Sequence, residues 1–136
     1  MEAHSKGVKA LALSETFLIT GSYDHLIKVW DKVNWRPLAT LGHHEESVWD
    51  LAVCNRSLAT CGLDGNLALI DLDPERSFPL TVRVKAQSEV VSSVDLNETF
   101  IVTGCDDSSV GVYDALDASL LHTLTGHSQG NFVLYT

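Results

Sequence analysis

A chain of 136 residues that is 45% apolar and 20% charged can build one folded domain and is too apolar for a disordered tail. Nine Lys and Arg, spread along the chain, face eighteen Asp and Glu; the resulting charge of −9 repels a phosphate backbone and argues against direct nucleic-acid binding. No run approaches the roughly 18 apolar residues of a membrane-spanning helix, and Met1-Glu2-Ala3-His4-Ser5-Lys6 is not followed by the apolar core of a signal peptide.

Along the chain the apolar period is that of strands, in short runs separated by Gly, Asp, Asn and Pro. Four strands are predicted near residues 8–13, 17–21, 26–30 and 36–41. Four more follow near 48–53, 57–61, 67–71 and 78–84, and a last four near 91–96, 100–104, 110–113 and 120–125. Val8, Leu11 and Leu13 break strict alternation by one residue, which predicts a bulge in the first strand of a set. Asp24-His25, Asp64-Gly65 and Asp107-Ser108 fall between second and third strands, where side chains that bond their own backbone favour turns. Pro74, between Asp73 and Glu75, marks the last turn of the second set, and no segment carries a convincing helical stripe.

The three sets are copies of one another. Leu18-Ile19-Thr20-Gly21-Ser22-Tyr23-Asp24 through Trp30-Asp31 aligns with Leu58-Ala59-Thr60-Cys61-Gly62-Leu63-Asp64 through Ile70-Asp71. It aligns again with Ile101-Val102-Thr103-Gly104-Cys105-Asp106-Asp107 through Tyr113-Asp114, at offsets of 40 and 43 residues. Val8, Leu11 and Leu13 recur upstream as Val48, Leu51 and Val53 and as Val91, Val94 and Leu96, which fixes the register.

With Trp30-Asp31, its substitutes Ile70-Asp71 and Tyr113-Asp114, and the Gly-His elements Gly42-His43-His44 and Gly126-His127, the chain resembles the WD-repeat family over roughly residues 4–127. The resemblance implies an all-β fold, a partial β-propeller arc of three four-stranded antiparallel blades. The blades are assigned as 1–44 with an N-terminal lead, 45–86 and 87–126, and residues 127–136 as an incomplete fourth repeat or divergent tail. It also implies a buried hydrogen-bond network in each blade. His4, Thr20, Asp24 and Trp30 would supply the first; His44, Thr60 and Asp64 the second, with Ile70 removing the indole donor; Thr103, Asp107 and Tyr113 the third, with Gln87 where a His would stand. Blade three is therefore expected to be the least well specified.

A Thr–His–Asp set also reads as nucleophile, base and orienter, but catalysis needs an exposed hydroxyl beside an oxyanion site, and these Thr lie on strands whose repeat turns them inward. His4 and His44 sit one repeat apart and His127 two repeats further on, without neighbouring ligands, so neither metal nor cofactor is expected, and the chain is read as not an enzyme. His25 is expected on the surface. Three cysteines, Cys54, Cys61 and Cys105, with no CxxC pair, imply reduced thiols and a cytoplasmic or nuclear setting.

Closed propellers need at least four blades, so three would leave an apolar face bare at each end, about 400 Å² apiece, and about 10 kcal/mol of gross burial unrealised. The expectation is either a shortened propeller, favoured by the loss of the repeat frame after Gln129 and the short lead before blade one, or a propeller completed in trans, including by a second copy. By resemblance the partner is a protein or peptide, and the role a scaffold or adaptor, as in a signalling or ubiquitin-ligase assembly. The alternative is a structural fragment that completes or competes with a longer propeller. The resemblance further implies that Tyr23, Leu63 and Asp106, each just before a turn Asp, point to one rim as candidate partner-binding residues. Trp35 beside Arg36-Pro37 reads as edge packing or as an anchor, and Trp49 as inter-blade core or as an anchor. Glu45-Glu46 reads as a solvated loop or as a patch that steers a basic partner.

Overall fold

Short β-branched runs joined by tight turns form twelve strands in the computed structural model, which describes residues 3–86 and 90–125. The first sheet contains β1 (Val8–Leu13), β2 (Phe17–Ser22), β3 (Ile27–Asp31) and β4 (Pro37–Leu41). The second contains β5 (Val48–Cys54), β6 (Ser57–Gly62), β7 (Asn66–Asp71) and β8 (Leu80–Lys85), and the third β9 (Val91–Leu96), β10 (Phe100–Cys105), β11 (Val110–Asp114) and β12 (Leu120–Leu124). Each sheet is an antiparallel meander with its strands in chain order, and together the sheets form an unclosed arc of three blades. Strand boundaries fall within one or two residues of the predicted ones; the turn at Pro74 is a 3-10 turn, Pro74–Arg76, capped by the Asp73 carboxylate. The bulge recurs in all three blades, as a register shift between Val8 and Ala10, between Val48 and Asp50, and opposite Gly104 and Cys105.

The core is divided between two blade interfaces. Between blades one and two, Phe17, Ile19, Ile27 and Val29 meet Val48, Leu51, Leu58, Ile70 and Phe78. Between blades two and three, Ala59, Cys61, Leu67 and Leu69 meet Val91, Val94, Leu96, Ile101 and Tyr113. Along β2, β6 and β10, successive residues therefore alternate between the face toward the preceding blade and the face toward the following one. The first interface holds an edge-on aromatic pair, Phe17 and Phe78, with ring centroids 5.2 Å apart. Asp50 adds a polar tie across the second, accepting from the backbone N–H of Val94 at 2.9 Å.

The repeated landmarks are not equally buried. Leu51 and Val94 are covered by the preceding blade, whereas Leu11 at the same place in β1 is 66% exposed, against 5% for Leu51. Val8 and Leu13 are exposed with it, because blade one has no predecessor among the described residues. Gln87, Gly126, His127 and the tail 127–136, including the frame change after Gln129, lie outside the described residues.

Candidate functional site: locked turns on three successive blades

In blade one, His4 Nδ1 lies 2.9 Å from Asp24 Oδ2, and His4 Nε2 lies 2.7 Å from Thr20 Oγ1, which also accepts the Trp30 indole N–H at 3.0 Å. With Nδ1 as the donor to Asp24, both ring nitrogens, the indole and the hydroxyl are served: the hydroxyl accepts from the indole N–H and donates to Nε2. Asp24 also accepts the backbone N–H groups of Ser5 and Leu26, each at 3.0 Å, so one carboxylate ties the N-terminal lead to the β2–β3 turn. Burial alone would raise its pKa, but these amides and His4 together hold it below the usual carboxylate value.

Blade two repeats the geometry without the indole. His44 Nδ1 lies 3.0 Å from Asp64 Oδ2, His44 Nε2 lies 2.7 Å from Thr60 Oγ1, and the amides of Glu45 and Asn66 donate to Asp64. Against the opposing effect of burial, the His44 hydrogen bond, the Asn66 and Glu45 amides and the charge interaction with His44 lower this carboxyl to about 2. Gly62 is required here because a Cβ on it would stand 2.1 Å from the carbonyl oxygen of Ser47, and Ile70, in place of the indole, is buried in the blade interface.

Blade three does not bring its three predicted members together in the same way. The Asp107 carboxylate accepts from both the amide and the hydroxyl of Ser109, closing its turn locally. Thr103 is buried, with Cys105 Sγ 4.0 Å away. Tyr113 occupies the Trp30 position with its ring packed into the second interface, and burial pushes its phenol above the ordinary value. Gly111 makes room for that ring: a Cβ there would meet both Thr103 Oγ1 and Tyr113 Cε1 at 2.7 Å.

The candidate partner-binding residues stand in equivalent turns, one per blade. Their amides make one recurring bond to the segment before each first strand: Tyr23 N–H to Gly7 at 3.1 Å, Leu63 to Ser47 at 3.1 Å, and Asp106 to Val90 at 3.1 Å. Tyr23 and Asp106 are exposed and Leu63 is half-buried. Trp49 is half-buried on the bulge of β5, with Lys9 Nζ of the neighbouring blade 5.6 Å from its ring centroid. Its indole N–H meets no acceptor among the described residues. Trp35 is exposed in the β3–β4 turn, and His25, Glu45 and Glu46 are exposed. Cys61 and Cys105 are fully buried, and burial pushes both thiols above their ordinary value. Two contributors were not singled out from sequence: Ser109, which serves Asp107 in blade three, and Asp50, which replaces the Ala10 of blade one. A polar residue at a position held by Ala in another copy is the signal that marks Asp50.

Three meandering four-stranded sheets stacked face to face, each keyed by an Asp in the turn between its second and third strands, define an arc of propeller blades. The family model described as "WD domain, G-beta repeat" matches residues 1–31, 35–71 and 79–114, and the chain belongs to that family. It is 31% identical over 126 residues to the human F-box and WD repeat domain containing protein 10B, covering 91% of this chain and 16% of that protein. It is 30% identical over 137 residues to nuclear distribution protein PAC1 of Komagataella phaffii, covering 95% and 26% respectively. With myosin heavy chain kinase C of Dictyostelium discoideum it shares 27% identity over 117 residues, 82% of this chain and 14% of that protein. The chain thus spans a small part of the length of these relatives. Among solved structures, the computationally designed Ika4 protein superimposes with a TM-score of 0.91 at 23% identity, covering all of this chain and 83% of that one. The likeness is one of fold.

Proposed function

We propose that the chain is a non-catalytic protein-interaction module that presents Tyr23, Leu63 and Asp106 to a protein or peptide partner. The observation that carries this reading is the recurrence of one device in three blades: an Asp-keyed turn, anchored by the same backbone bond, that holds a different side chain at its tip in each. A rigid scaffold with variable tips is what recognition requires, because little ordering entropy remains to be lost on binding. The Thr hydroxyls of blades one and two are buried and engaged by His, which supports a structural role for those triads. The relatives whose names combine an F-box with WD repeats support a scaffold role within a larger assembly. Cytoplasm or nucleus, where thiols stay reduced, is the setting proposed for the three free cysteines.

The test is a quantitative capture comparison of the wild-type chain, Tyr23→Ala/Leu63→Ala and a surface control, Glu75→Ala. The reading predicts at least one protein retained by wild type and control and lost by the double variant. Identical capture by all three would refute the assignment to these turns.

A further inference from the structure

Each blade interface repeats one pair of positions. The first residue of the second strand (Phe17, Ser57, Phe100) lies on the face toward the next blade, and the residue in the turn before the fourth strand (Trp35, Phe78, Ala118) on the face toward the previous one. Trp35, Phe78 and Ala118 share the same left-handed backbone, with φ of 58°, 52° and 57°, which confirms that they are equivalent.

The pairs are matched in size. Between blades one and two, Phe17 meets Phe78; between blades two and three the same positions hold Ser57 and Ala118, small against small. What remains is an aromatic on each open face. Trp35 on blade one is 57% exposed where Phe78 is 3% exposed, and Phe100 on blade three is 42% exposed where Phe17 is 6% exposed.

The faces also differ in charge. Lys28, opposite Thr20 in the ladder, lies on the open face of blade one, where blades two and three carry Ala68 and Gly111. Asp95 lies on the open face of blade three, where blades one and two carry Ala12 and Ala52. Residues 1–44 hold five Lys and Arg against four Asp and Glu, whereas residues 87–126 hold no Lys or Arg against seven Asp and Glu.

We infer that a second copy of this chain covers these faces, its blade one stacking on blade three of the first copy so that Trp35 of one packs edge-on against Phe100 of the other, as Phe78 packs on Phe17 within the chain. The contact is head to tail, leaving one face of each kind for a further contact that closes a ring or extends the assembly. The inference uses the blade faces and not the turn tips, so it stands or falls apart from the reading of Tyr23 and Leu63.

Sedimentation velocity on the full chain at micromolar concentration tests it, with Trp35→Glu and Phe100→Glu. Both side chains are exposed, and circular dichroism checks that the variants keep their sheets. Wild type is expected to sediment as more than one copy and each variant alone as a single chain. An equimolar mixture of the two variants should regain a pair, since each retains the face the other lost. The proposal is overturned by a wild-type chain that stays single, which would assign the faces to another protein's blades, by variants that still associate alone, or by a mixture that stays single.

Discussion

Removing the His44 imidazole would strand two groups at once, the buried Thr60 hydroxyl and the Asp64 carboxylate. His44→Ala is therefore expected to cost about 2–3 kcal/mol in urea unfolding, more than an ordinary surface substitution. Asp64 makes the same network sensitive to pH. Its carboxyl sits at about 2 in the folded chain against an ordinary 3.8, so its stabilising contribution is complete above about pH 4 and is lost as pH falls toward 2. That contribution is about 2 kcal/mol, and the wild-type urea midpoint should fall more steeply between pH 4 and 2 than that of Asp64→Asn. Gly62→Ala tests packing instead of charge: the added methyl meets the Ser47 carbonyl, and a loss of at least about 2 kcal/mol is expected. The residues of this network were legible through the resemblance to WD repeats, and their types fit it because an imidazole, a hydroxyl and a carboxylate can satisfy one another. The blade-three arrangement was not readable, because the turn is the same in all three copies and only Ser109, where the others carry Leu26 and Asn66, brings a hydroxyl that reaches its Asp.

The strands themselves were legible to within a residue or two, and the bulge was visible as the misplaced step from Val8 to Leu11. Periodicity reports which residues share a face, and three copies supply the register. It does not report what the face meets. Leu11 and Leu51 are the same landmark in sequence, yet only Leu51 is covered. The consequence is measurable: in urea titrations at protein concentrations where the chain is single, Leu51→Ser should cost about 3 kcal/mol, and Leu11→Ser less than about 0.5 kcal/mol. Equal losses would contradict the assignment of the two faces. The Phe17–Phe78 pair was equally hidden, since the Phe78 position precedes the fourth strand in a turn whose length varies between copies.

At the scale of the molecule, the middle blade is the only one covered on both faces among the described residues, and β6 and β7 are nearly continuous in their burial. Amide exchange should be slowest there and faster in β1 and β12, whichever blade carries the fullest hydrogen-bond network. The same stacking bears on the proposed role, because burying one sheet against the next holds the turns between strands in place. The most direct test of that stacking is a double-mutant cycle of Phe17→Ala and Phe78→Ala, two residues on different sheets whose rings meet across the first interface. The account predicts a coupling of about 1 kcal/mol in urea unfolding. Losses that simply add would mean that the two sheets do not pack on each other as described.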